Sequence, residues 1–193
     1  MKPFPLPRFF DALRFLSAIT EHQIVSRFYG GDHVAARVDI AAAAAGGFIS
    51  IEHHLIRHRP TPRPIAVLAP HQTPPCAEQL AYVASRLWNP SSQPELVIRA
   101  TAKFAAFFGG QHCVVPSVHL SHEVGLSSVF FTIREADPAF QWTLIAQSGP
   151  RGGRADAVTR DGTLIELIGR YSGVKVGQKL ALAAAVGVTL ELW

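Results

Sequence analysis

Cysteine is scarce in this chain of 193 residues: there are two, Cys76 and Cys113, far apart and outside any CxxC spacing. That excludes a disulfide framework and a thiolate zinc site, and both are expected to be small buried residues of a reducing compartment. Charge is sparse too, at 17% of residues against 48% hydrophobic, so a packed core is expected and disorder is not. Long apolar runs are missing. The run AAAAAGGFISI is only about half the ~20 residues of a spanning helix, and Asp39 precedes it. The start, MKPFPLPRFF, breaks into prolines and charges too soon for a signal peptide. A soluble cytoplasmic protein without membrane association is expected. No P-loop, no GxGxxG after a strand and no GxSxG elbow occurs. The aromatics do not interleave with basic residues as in single-strand binders, and Phe104, Phe107 and Phe108 read as core.

What is present begins with helix signals. Phe9, Leu13 and Leu16 recur at helical spacing. Thr20 with Gln23 three residues on forms a capping box for a second helix, which Gly30-Gly31 ends. Asp32 caps a third, alanine-rich helix, HVAARVDIAAAAA, which Gly46-Gly47 stops. FISIEHHLIRHRPTPRPIAVLAP then reads as strand, proline-punctuated turn and strand, with Ile65 to Leu68 as the second strand.

Three helices and a two-stranded ribbon are the order of a winged helix-turn-helix, here residues 1–70. His53, His54, Arg57, His58, Arg59 and Arg63 concentrate on the ribbon. A cationic wing beside a helix is the electrostatic footprint of a duplex-DNA reader. Net charge is +4 with pI ≈ 9.4, which permits a polyanionic partner without demanding one. Arg37 is the one long basic side chain of the third helix. Sequence-specific base contact is therefore expected to be weak and phosphate contact dominant. The five-alanine run also suits packing against a partner helix, as in a homodimer.

Residues 71–193 make the second expected domain. A helix is predicted over Ala77 to Leu87, ELVIRA is β-like, and FAAFF is helix or strand. A helix capped by Ser121 follows, then a strand (QWTLIA), a glycine-rich loop (GPRGG), a hairpin turning at Arg160-Asp161-Gly162, a helix (KVGQKLALAAAVG) and a closing strand (VTLELW). That α-β-β-β-α-β order suits a mixed sheet flanked by helices, and the chain as a whole is α/β of the α+β kind. Asp156 precedes the hairpin turn and Glu166 follows it, and the two are expected on one solvent-facing side of the sheet. Their bland alternatives are a hairpin-edge acceptor of backbone hydrogen bonds and a strand residue on the wet face.

Several strings together carry a resemblance: RFLSAITEHQIVSRFYGG with its following helix, PIAVLAP, SHEVGLSSV, RADAV, IELIGRYS and the final ELW. The C-terminal block resembles the PD-(D/E)xK nuclease-like fold. The whole chain is similar to plasmid and mobile-element proteins of the replication-relaxation type, which pair an N-terminal winged helix with such a domain. The resemblance places Asp156 at the first acidic position and Glu166 at the second. A working nuclease would hold Mg²⁺ on these carboxylates, with Glu123 as a further candidate ligand. The lysine that normally orients the attacking water falls at Ile168, so Lys175, Arg170 or Lys179 would have to replace it. Lys175 and Lys179, four apart, otherwise read as a solvated basic stripe.

The leading functional expectation is a DNA-binding accessory protein of a plasmid or mobile element whose nuclease-like domain is inactive. The alternatives are a Mg²⁺-dependent endonuclease using Asp156, Glu166 and Lys175, and a protein-interaction module acting on conjugation or replication machinery.

Overall fold

The computed structural model describes residues 6–88, 90–112, 115–145 and 155–193. In chain order its elements are α1 (Phe10–Leu13), β1 (Ile19–Thr20), α2 (Glu21–Phe28), α3 (His33–Ala45), β2 (Ile49–Ile56), β3 (Ala66–Leu68), α4 (Ala77–Leu87), β4 (Gln93–Ala100), α5 (Ala102–Phe108), α6 (Leu120–Ala136), β5 (Trp142–Leu144), β6 (Ala157–Thr159), β7 (Leu164–Glu166), α7 (Gly173–Val186) and β8 (Leu190–Leu192). The class is mixed α/β with two sheets. The chain divides into two compact units, Met1–Ile56 with Ser92–Ser127 and Arg57–Ser91 with Ser128–Trp193. A single cut at residue 70 therefore does not describe the division.

In the first unit the helix starts follow the sequence signals. Thr20 Oγ1 accepts the Gln23 N–H at 3.1 Å, and the Thr20 N–H donates to Gln23 Oε1 at 2.9 Å, completing the capping box of α2. Asp32 accepts the N–H groups of Val34 and Ala35 to start α3. The first helix is shorter than its spacing suggests: α1 is one turn, although Phe9, Leu13 and Leu16 are all buried. The sheet order is β1-β4-β2, antiparallel throughout. β2 pairs along its whole length with β4, from Ile49 opposite Ala100 to Ile56 opposite Gln93. This corrects the expected ribbon, because residues 66–68 pair with β8 in the second unit instead. The physical reason is length: β2 and β4 offer matched eight-residue ladders, whereas β3 offers three residues. Between helices and sheet lies an aromatic cluster, in which Phe10 meets Phe48, Phe104 and Phe108 at centroid distances of 5.0–6.0 Å.

The second unit holds a five-stranded sheet ordered β3-β8-β7-β6-β5. β5, β6 and β7 form an antiparallel meander, and β8 lies parallel to β7 after the α7 crossover. Ser172 caps α7 and Gly187, at φ +72°, ends it. The helix buries Val176, Lys179, Leu180 and Ala183 at i, i+3, i+4 and i+7, the spacing of one face. Val176, Leu180 and Ala183 pack with Leu80, Ala81 and Ala84 of α4 and with Ile168. Each such fully buried Leu, Ile or Val side chain contributes about 1.5–3 kcal/mol relative to exposure.

Two smaller expectations change. Ser121 lies inside α6 rather than capping it, because a 3₁₀ turn at Ser117–His119 leads into that helix. Cys76 is exposed at the N-cap of α4, not buried, while Cys113 and the GPRGG loop lie outside the described residues.

Candidate functional site

The hairpin and α7 of the second unit bring together Asp156, Glu166, Lys175 and Lys179. Asp156 leads into β6; its N–H donates to the Ile165 carbonyl at 3.0 Å, and its Oδ2 accepts the Leu167 N–H at 2.8 Å. The aspartate is thus laced to the backbone on both sides of Glu166. Glu166, the last residue of β7, accepts a hydrogen bond on Oε2 from Lys179 Nζ at 3.0 Å. Lys175, one turn earlier on α7, rests its ammonium 3.5 Å from the centre of the Tyr171 ring. Burial pushes the Lys175 pKa down and the Lys179 charge adds to that, while the negative charges of Glu166 and Asp156 act in the opposite sense.

Ile168, two residues after Glu166, has its side chain in the apolar cluster with Leu180 and Val176, so no amine enters from the strand. The amine that meets Glu166 comes from the helix, and it belongs to Lys179 rather than Lys175. Arg170 is exposed. The solvated-stripe reading fails for Lys179, which is 6% exposed, and the wet-face placement fails for Glu166, which is fully buried. Asp156 is 4% exposed, so the acids do not sit on an open sheet face. Helix α7 covers that face with the stripe that contains Lys179.

A divalent cation such as Mg²⁺ needs open carboxylate oxygens. Here Lys179 occupies one Glu166 oxygen and the Leu167 N–H one Asp156 oxygen, both acids are buried, and Glu166 Oε1 has no hydrogen-bond partner. The candidate ligand Glu123 sits on α6. It lies in the first unit, hydrogen-bonded by Ser17 Oγ and 3.6 Å from His122 Nδ1. Among the described residues no group of three His, Cys, Asp or Glu side chains is arranged to hold a metal ion.

Just behind the acidic pair, Arg59 is 4% exposed and donates from Nη1 to the Ile168 carbonyl at 2.6 Å, a carbonyl that also accepts the Trp88 indole N–H at 3.1 Å. Burial lowers its pKa to about 10. Arg59 is thus a structural clamp on the strand end and not an open phosphate contact, which corrects its place among the wing cations. The others separate. His53 and His54 belong to the first unit, and Arg57, His58 and Arg63 to the second. His54 Nε2 lies 2.9 Å from Glu52 Oε2, and Arg63 is exposed.

The first unit gathers ionisable groups that lie far apart in the chain. A cleft of about 350 Å³ between α2, α3 and the β2–β4 ribbon is lined by Glu21, His22, His33, Arg37, His53 and Glu95, with Pro94 and Leu96 as its apolar floor. Arg37 Nε donates to Glu21 Oε1 at 2.6 Å across its side. His22 and His33 carry no signal in the sequence, because only the packing of α2 on α3 brings them beside His53. On α3 the exposed face also shows Val34 and Val38, which are neither basic nor polar.

The class these observations define is a two-unit mixed α/β protein with a buried Asp-Glu-Lys centre in one unit and a histidine-lined cleft in the other. No protein-family model, curated protein or solved structure matches the chain. No helix among the described residues is long and apolar enough to cross a membrane.

Proposed function

We propose that this chain is a duplex-DNA-binding accessory protein of a plasmid or mobile element, with a winged helix in its first unit and a silent PD-(D/E)xK-like domain in its second. One observation carries the reading: α1, β1, α2, α3 and β2 are followed, after the intervening β3 and α4, by β4, with sheet order β1-β4-β2, an order compatible with a winged helix. The segment 57–91 then stands where a wing loop would close the ribbon. The step from architecture to DNA is an argument from fold analogy. It is supported by the +4 net charge and by Arg37 and His33 of α3, which line one cleft with His22 and His53. The test is a gel shift on random duplex DNA with a salt titration. Affinity is expected to fall by roughly 10³-fold or more between 50 and 200 mM salt if several phosphates are contacted. An absent shift at low salt overturns the reading and leaves a protein-interaction module.

A second reading, a Mg²⁺-dependent endonuclease, is favoured by the Lys179 amine on Glu166, which restores the residue types such a centre uses. The closed acids favour the silent form. Supercoiled plasmid incubated with Mg²⁺ or Mn²⁺ decides between them. Intact plasmid is expected. Nicking that disappears in both Glu166→Gln and Lys179→Met would establish the nuclease.

A further inference from the structure

Four strands end a sheet, and three of them are short: β1 has two residues, β3 and β5 three each. β2 has eight, and among the described residues it is paired on one side only, with β4. An edge of that length is a template for another strand, and proteins commonly blunt such edges with lysine, proline or a bulge. β2, ISIEHHLI, carries no lysine and no proline, and its register with β4 runs without a break. The Phe48 carbonyl accepts the Thr101 N–H at 3.0 Å, which fixes the alternation of the ladder. Ser50, Glu52 and His54 turn their backbone groups towards β4, and Ile51, His53 and Leu55 turn theirs to the open side. The side chains of those same three residues are exposed, Ile51 to 39% and Leu55 to 68%.

We propose that β2 pairs antiparallel with β2 of a second copy of this chain, about a two-fold axis through His53, joining the two three-stranded sheets into one. The inference stands apart from the DNA-binding reading. What selects a second copy is that the edge is self-complementary about His53. In that register Ile51 faces Leu55 of the second copy, and Leu55 faces Ile51, on one side of the joined sheet. On the other side Glu52 faces His54, and His54 faces Glu52. Directly opposed apolar pairs and acid–base pairs support antiparallel strands, whereas opposed like charges destabilise them. Glu52 and His54 already meet within one chain, Oε2 lying 2.9 Å from Nε2. Neighbouring registers lose this match. An axis through Glu52 sets two carboxylates against each other. An axis through His54 sets His53 against Leu55 and Glu52 against Ile56. A two-fold contact of this kind uses the same patch on both copies and closes at two.

The experiment is sedimentation velocity of the full chain over a concentration series, and twice the chain mass is expected at the upper end. Leu55→Lys removes both Ile51–Leu55 pairs of the dimer and is expected to raise its dissociation constant by about 10-fold or more, with the helical and strand signal in circular dichroism unchanged. The register is read by cysteine trapping in a Cys76→Ser, Cys113→Ser background. His53→Cys lies on the axis, where facing Cα atoms of a hydrogen-bonded pair are about 5.5 Å apart and within disulfide reach, so mild oxidation is expected to give a covalent dimer. The two copies of Leu55→Cys would stand four residues out of register, roughly 14 Å along the strand, and are expected to stay apart. A monomer at every concentration overturns the proposal. A dimer that Leu55→Lys leaves intact, or that His53→Cys fails to trap, overturns the assignment to this edge. Trapping through Leu55→Cys in preference to His53→Cys overturns the register. Should Leu55→Lys not fold, the cysteine pair decides alone.

Discussion

Removing the Lys179 amine would strand Glu166. The two form a hydrogen-bonded pair at 3.0 Å inside the second unit, and breaking one side of a buried pair costs about 3–5 kcal/mol, because the remaining charge loses its partner. Lys179→Met is therefore expected to lower urea stability at neutral pH by that order. The double variant Lys179→Met, Glu166→Leu should recover a large part of the loss, as replacing a whole buried pair with apolar groups does. A double-mutant cycle in urea reads both. Lys175 gives a pH signature. Its pKa in the folded protein lies below the ordinary lysine value of 10.5, so between those two values the unfolded chain binds more protons and stability rises with pH. Lys175→Met should gain stability relative to wild type at pH 8, with the difference shrinking towards pH 10.5. At this scale the sequence told part of the story. Asp156 and Glu166 were visible from their places around the turn. The burial of Lys179 was readable in principle, since it interrupts the stripe Val176, Leu180, Ala183, but its spacing from Lys175 invites the solvated reading equally well. The clamp by Arg59 was not readable, because the Ile168 carbonyl it holds is remote in sequence and a backbone atom has no residue-type signature.

Among the elements, the caps and stops were the most legible features, because they are local chemistry. Thr20 and Asp32 cap the helices where their side chains predict. Thr20→Ala should cost about 1 kcal/mol by removing one half of the capping box of α2, measurable as a drop in melting temperature. Glycine matters most sharply at Gly110, where φ is +96° and an added Cβ would lie 2.5 Å from the Arg14 carbonyl oxygen. Gly110→Ala is expected to lose about 1–3 kcal/mol in chemical denaturation. Gly162→Ala, with φ +87° and open space around it, should lose less. Strand partners were the least legible. The β2 strand was visible, but its partner lies beyond a whole intervening strand and helix, and no local pattern states which of two later apolar strands will pair with it. Only the matched lengths of the ladders discriminate, and that is a non-local property.

For the molecule as a whole, the mixed α/β class followed from composition and element order, while the division into units did not, since the chain returns to the first unit at Ser92. A fragment of residues 1–70 contains β2 without β4 and should show little cooperative melting by circular dichroism. A construction in which Asn-Gly replaces 57–92, joining Ile56 to Gln93 and ending at Ser127, should melt cooperatively, because those two residues already face each other at the ribbon end. Both sheets share one further property. In each, a strand flanked on both sides comes late: β4 sits between β1 and β2, and β8 between β3 and β7. On the ribosome, then, β1 and β2 wait for β4, and β3 waits for β8, although the β5–β6–β7 meander can pair in order as it emerges. The nascent chain must hold β1 and β2 apart until β4 is translated, and β3 apart from β7 until β8 leaves the exit tunnel. Ordering of this kind favours slow, concerted closure over stepwise growth, with β8 the strand that joins β3 to the rest of its sheet.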